Sequence, residues 1–153
     1  MSAVPDAPGA PGGSPGDSAE RAGLAAQAAW SKQGTDVVVL EVGRVLAIVD
    51  WFVVTSAANV RQARTIAEEV EEQLRRHDGT GVLRTEGADD ARWILLDFGD
   101  VAVHVFSEEA REYYDLERLW ADVPRLDWHD GDDPSALAPG TVGKATTGAA
   151  GTE

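Results

Sequence analysis

Fourteen consecutive residues constrain this chain more than any others: Trp93-Ile-Leu-Leu-Asp97-Phe-Gly99-Asp100-Val-Ala-Val-His104-Val-Phe106. Two apolar runs flank Gly99-Asp100, a dipeptide that suits a two-residue type II′ hairpin turn with glycine at the first central position. That register sets Trp93 opposite Phe106, Leu95 opposite His104, and Asp97 opposite Ala102. Successive strand residues point to opposite faces. One face is therefore Ile94, Leu96, Phe98, Val101, Val103 and Val105, wholly apolar and fit for a core. The other is Trp93, Leu95, Asp97, Ala102, His104 and Phe106, with aromatic rings at one end and polar groups in the middle. A face of that mixture is either covered by something equally mixed or kept for a partner.

The 153 residues give room for one domain with a substantial core. Residues 1–17 are nearly all Pro, Gly, Ala, Ser and Asp, and 129–153 run from His129-Asp-Gly-Asp-Asp-Pro134 into Gly, Ala and Thr. Segments so poor in apolar bulk cannot offset their ordering entropy, so both ends are expected to be disordered and the folded unit to span about 18–128. The first residues lack the basic and apolar regions of a secretory signal, and no stretch approaches the ~20 apolar residues of a membrane span. There is no cysteine, which removes disulfides, thiolate catalysis and cysteine metal sites. A cytoplasmic protein is the expectation. The formal charge is −14, and residues 21–128 alone carry twenty acidic against twelve basic side chains. Such a surface lacks the basic footprint for gripping nucleic acid directly, but it favours encounter with a basic protein.

Elsewhere the pattern predicts a helix from Ser18 to Gln33, capped by Ser18 and closed by Gly34. Strands follow at Asp36–Val42 and about Trp51–Thr55, both so apolar that central sheet positions are expected. Asn59 and Gln62 have the spacing of a capping box. Val60, Ala63, Ile66, Ala67, Val70 and Leu74 then form one stripe at helical spacing, and Asp78-Gly79 stops the helix. Val82 to Thr85 reads as a short strand before the hairpin. Ser107 can cap a further helix, and Tyr113 to Trp120 gives a last helical turn or two. The order predicts an α/β (α+β) fold, a mixed β-sheet with helices mainly on one face.

No catalytic set assembles from this inventory. Asp97-Phe98-Gly99 copies the kinase metal-binding tripeptide, yet no glycine-rich loop or catalytic-loop signature accompanies it. Asp97 and Asp100 could share a Mg²⁺ ion, although a turn residue and a sheet-face acid explain them as well. His104 has no serine or cysteine nucleophile near it in sequence, and no phosphate loop is present. Enzyme, cofactor and metal are therefore not expected. Aromatic supply does stand out: Trp93, Phe106, Tyr113, Tyr114 and Trp120 lie close together in sequence, and Tyr and Trp flanked by charge are common interface anchors.

From about Gly34 to Trp120 the sequence resembles the ribosomal silencing factor family, also called RsfS, Iojap or YbeB. The resemblance rests on Asp36-Val-Val-Val-Leu-Glu41-Val, on Asp50-Trp-Phe-Val-Val-Thr55-Ser56 with Asn59-Val-Arg61-Gln62, and on Glu86-Gly87 ahead of the hairpin. It is sharpest in the pairing of the hairpin with Arg111-Glu-Tyr-Tyr114-Asp-Leu-Glu117-Arg-Leu-Trp120. Glu41 and Trp51 depart from the residues commoner in the family. The resemblance implies a nucleotidyltransferase-like fold without catalytic residues. It implies binding to the fourteenth protein of the large ribosomal subunit, steric blocking of subunit association, and repression of translation under nutrient limitation. Direct nucleic-acid binding beyond peripheral rRNA contact is not implied, nor is a membrane; the factor would be a monomer or homodimer. Carried onto this chain, the contact role falls on Trp93, Asp97, His104, Phe106, Tyr114, Leu116, Glu117 and Trp120. The alternative is a residual nucleotidyltransferase-like protein that binds metal or nucleotide through Asp97 and Asp100.

Overall fold

In a computed structural model that describes residues 15–128, a five-stranded sheet is built in the order β1-β2-β5-β4-β3. Its strands are β1 (Thr35–Glu41), β2 (Trp51–Ala57), β3 (Arg84–Glu86), β4 (Trp93–Asp97) and β5 (Val101–Ser107). The helices are α1 (Pro15–Ser31), α2 (Val60–Asp78), α3 (Glu108–Tyr114) and α4 (Leu116–Leu119). Every neighbouring pair is antiparallel except β2 and β5, which run parallel and are joined by a long connection through α2, β3 and β4. This is the mixed α+β sheet that the element order predicts. The hairpin has the predicted register, with Trp93 opposite Phe106, Leu95 opposite His104 and Asp97 opposite Ala102. Gly99 takes a φ of 94°, which a glycine tolerates at the first central position, and Phe98 N–H donates to the Val101 carbonyl at 2.9 Å.

Alternation divides the core in two. On one side Ile94, Leu96, Phe98, Val101, Val103 and Val105 are buried beneath α1 and α2. Ala22, Ala25, Ala26 and Ala29 let α1 pack closely there, and Ala63, Ile66, Ala67, Val70 and Leu74 form the buried stripe of α2. Val60 lies outside that stripe and is exposed. On the other side Leu40, Val42, Val54, Phe106 and Ala110 form a smaller core, covered by α3, α4 and the chain that follows. The two long helices thus occupy one face and two short ones the other.

Several local expectations are corrected. Ser18 is no cap: α1 begins three residues earlier, and the Ser18 hydroxyl donates to Asp50 Oδ2 at 3.2 Å. Residues 1–14 and 129–153, for which disorder is expected, lie outside the described residues. Asn59 caps α2 as predicted, its Oδ1 accepting from Gln62 N–H at 2.8 Å. The return half of the box is different. Gln62 Oε1 accepts from Ala58 N–H, and its amide donates to the Lys32 and Gln33 carbonyls, tying the start of α2 to the end of α1. Strand β1 is an edge, not a central strand. Its apolar content has another cause: Glu41 N–H donates to the Pro124 carbonyl, Leu126 N–H to Val39, and Trp128 Nε1 to Val37. A returning segment therefore covers the edge that would otherwise offer unpaired backbone groups.

Candidate functional site

The second sheet face carries a continuous run of rings. Tyr113 meets Tyr114 edge-on at 5.0 Å, and Tyr114 lies 4.6 Å from Trp93. Trp93 lies 4.9 Å from Phe106, its hairpin partner, and 5.9 Å from His104. His104 meets Phe52 edge-on at 4.6 Å, and Phe52 meets Trp120 at 5.6 Å. Alternation along β2, β4 and β5 places Phe52, Trp93, His104 and Phe106 on this face, and the helical pieces after β5 bring Tyr114 and Trp120 over it.

Exposure sorts the residues expected to contact a partner. Tyr114 is 47 % exposed, Trp93, Leu116 and Trp120 are partly buried, and Asp97 is half-buried at the hairpin end. Phe106 has no accessible surface and His104 only 5 %. A direct contact role for those two is therefore corrected: they lie beneath Trp93 and Phe52 and hold the rings above. Glu117 is also committed, because Arg111 donates to both its oxygens, at 3.1 and 2.5 Å. Burial alone would push the Glu117 carboxyl up, but these bonds and the charges of Arg111 and Arg125 hold it below the ordinary range.

Arg111 is the site residue that sequence reasoning missed. Besides Glu117 it donates to the Thr35 and Asp36 carbonyls and to Ser56 Oγ, so one guanidinium joins α3, α4, β1 and β2. Its signal was its place among acids at the head of the motif that ends at Trp120. Phe52 was missed as well, though alternation with Val53 could have found it. Asp115, with φ of 50°, makes the left-handed break that separates α3 from α4. Glu108, Glu109, Glu112 and Asp115, on α3 or directly after it, are all exposed, so the segment that carries Tyr114 is acidic, with Arg92 and Arg118 exposed nearby in sequence.

Trp93 Nε1 donates to His104 Nδ1 at 3.0 Å, which requires the imidazole proton to sit on Nε2. Burial pushes the His104 pKa down to about 4, so the ring is neutral at physiological pH. His104 Nε2 is buried with no hydrogen-bond partner. A neutral, enclosed ring whose Nδ1 is already occupied is badly placed for a general base.

The two carboxylates of the metal-binding alternative lie apart in their interactions. Asp97 Oδ1 accepts from Gly99 N–H at 2.9 Å and its Oδ2 is 3.7 Å from Arg84. Asp100 points to the other side, where the buried Arg21 guanidinium donates to both its oxygens. Among the described residues no group of three potential ligands gathers to hold a metal.

A family model described as ribosomal silencing factor during starvation matches residues 15–150. The chain belongs to the ribosomal silencing factor family. It is 38 % identical over 104 residues to the ribosomal silencing factor RsfS of Bacillus subtilis, covering 68 % of this chain and 87 % of that one. A crystal structure of a Chromobacterium violaceum protein matches with a TM-score of 0.64 and 31 % identity, over 67 % of this chain and 84 % of that one. A more distant relative, the mouse protein named mitochondrial assembly of ribosomal large subunit protein 1, is 28 % identical over 56 % of this chain and 38 % of its own length. The resemblance read from the hairpin is thus borne out, and with it a place among regulatory proteins of the ribosome.

Proposed function

We propose that this silencing factor binds the large ribosomal subunit through its fourteenth protein and keeps the small subunit from joining, lowering translation when nutrients are scarce. Trp93 and Tyr114 are the anchors, with Leu116, Trp120 and Asp97 beside them. Phe106, His104 and Glu117 act from behind. The observation that carries the reading is the half-exposed Tyr114 ring tilted against Trp93, on a helix whose exposed acids border it. Aromatic anchors backed by a rigid core suit a stable interface, and the negative border suits a basic ribosomal protein. The action is occlusion, so no bond is made or broken. The place of action is the cytoplasm, and no helix among the described residues is long and apolar enough to cross a membrane.

Co-sedimentation with purified large subunits tests this. Truncating an interface anchor commonly costs ~2 kcal/mol or more, about thirtyfold in affinity. Trp93→Ala and Tyr114→Ala should each lose binding on that scale while keeping a folded circular-dichroism spectrum. Full binding by both folded variants would remove this face from the interface.

A further inference from the structure

Trp93 is the one anchor whose polar atom is spent inside the protein. Its indole N–H is donated to His104 Nδ1, while its ring lies against both Phe106 and Tyr114, which are themselves 6.2 Å apart. His104 is itself fixed: it lies near-parallel to Phe106, with ring planes 11° apart, and edge-on to Phe52. A flat acceptor is what the slot between Phe52 and Phe106 accommodates. The arrangement has a cost, because Nε2 is left buried and unpartnered. A phenylalanine would avoid that cost but would leave the Trp93 N–H without its acceptor. The one thing a histidine adds here is the acceptor for Trp93.

We infer that His104 is the positioning residue of the ribosome-facing surface. Through Nδ1 it fixes the rotation of the Trp93 indole, and through Trp93 it sets the height and tilt of Tyr114. With its N–H consumed, Trp93 presents only carbon edges and ring face to a partner. Recognition at this point therefore takes apolar or cationic side chains that pack on aromatic rings, not hydrogen-bond acceptors. The inference rests on the proposed interface for its binding consequence, and on the hydrogen bond alone for its structural one.

The test uses the full chain, ¹⁵N-labelled, with Trp93→Phe to assign the indole signal. Solvent exchange of the indole protons is read by NMR and affinity by co-sedimentation with large subunits. Trp128, whose indole donates to the Val37 carbonyl on the opposite side of the sheet, reports on folding. In His104→Phe the Trp93 indole proton should lose its protection, Trp128 should keep its own, and affinity should fall about tenfold. In His104→Asn, whose oxygen stands near the Nδ1 position, both should return to within about threefold of the wild type. Should His104→Phe unfold, seen as lost Trp128 protection, Asn and Gln supply the same contrast. Glutamine carries its oxygen out toward the Nε2 position and should fail to protect Trp93.

Unchanged Trp93 protection in folded His104→Phe would overturn the inference. So would wild-type affinity with protection lost, or failure of folded His104→Asn to restore either. If the wild-type chain itself does not sediment with large subunits, the proposed function falls, and indole protection alone then decides the role of His104.

Discussion

Arg21 in the first helix donates to both carboxylate oxygens of Asp100 in the hairpin turn, at 3.1 and 3.4 Å, across 79 residues of sequence. Its other arm reaches Asp78 Oδ2 at 2.5 Å and Thr80 Oγ1 at 2.8 Å, at the end of α2. Arg21 is only 2 % exposed, so three elements meet on one desolvated cation. Removing a single partner strands a buried charge. Arg21→Ala or Asp100→Ala should each cost about 3–5 kcal/mol in urea unfolding. The double variant Arg21→Ala with Asp100→Ala should cost less than the sum of the two singles, because the charges leave together. Additive losses would mean the pair is not coupled.

Gly87 has φ of 82°, and a Cβ there would run into the Trp93 carbonyl oxygen. The loop after it is held by Arg64, which donates to the Ala88 and Asp89 carbonyls. Gly87→Ala therefore meets backbone strain and a backbone clash at once. It should lower stability by more than ~1 kcal/mol and disturb Trp93, at the start of β4. Thermal unfolding with Trp93 NMR signals checks both effects. A variant as stable as the wild type would contradict this geometry.

Trp128 is buried against the α1–α2 side of the sheet, and Gln27 donates to its carbonyl at 3.1 Å. Trp128→Ala should cost about 3–5 kcal/mol, the usual range for emptying a large aromatic site. Because Trp128 and Leu126 hold the returning segment on β1, the variant should also open that edge, and self-association should rise with concentration in light scattering. Loss of stability without association would show that other contacts keep the edge covered.

Stability should fall on acidification. The His104 pKa is about 4 in the folded chain against 6.5 ordinarily, so between these values the unfolded chain binds the extra proton. Its contribution is complete above about pH 6.5 and lost toward pH 4, of order 3 kcal/mol in all. Glu117 and Asp78 act in the same direction. Each is held below its ordinary range despite burial that pushes it up, Glu117 by Arg111, and Asp78 by Thr80 and Arg21. Their contribution is also lost as pH falls. His104→Phe should flatten the curve between pH 6.5 and 4; an unchanged slope would show that His104 does not set it.

The hairpin was legible because turn chemistry and strict alternation fix a register with no help from the rest of the chain. The α2 stripe was legible because its period and its cap agree. What could not be read was anything decided across the sheet. Nothing near Arg21 announces that Asp100 will find it, and nothing in β1 tells a central strand from an edge covered by Leu126 and Trp128. The site was half legible for the same reason. Alternation named the face of Trp93, His104 and Phe106. Only the placement of α3 and α4 shows that the latter two are covered and that Tyr114 stays exposed.

Light scattering of purified small and large subunits mixed with this chain measures the central claim most directly. The wild type should suppress joining when added to large subunits beforehand, and Trp93→Ala and Tyr114→Ala should leave joining nearly unimpeded at the same concentration. Joining that proceeds normally with saturating wild-type protein, or suppression that survives in both folded variants, would contradict the account.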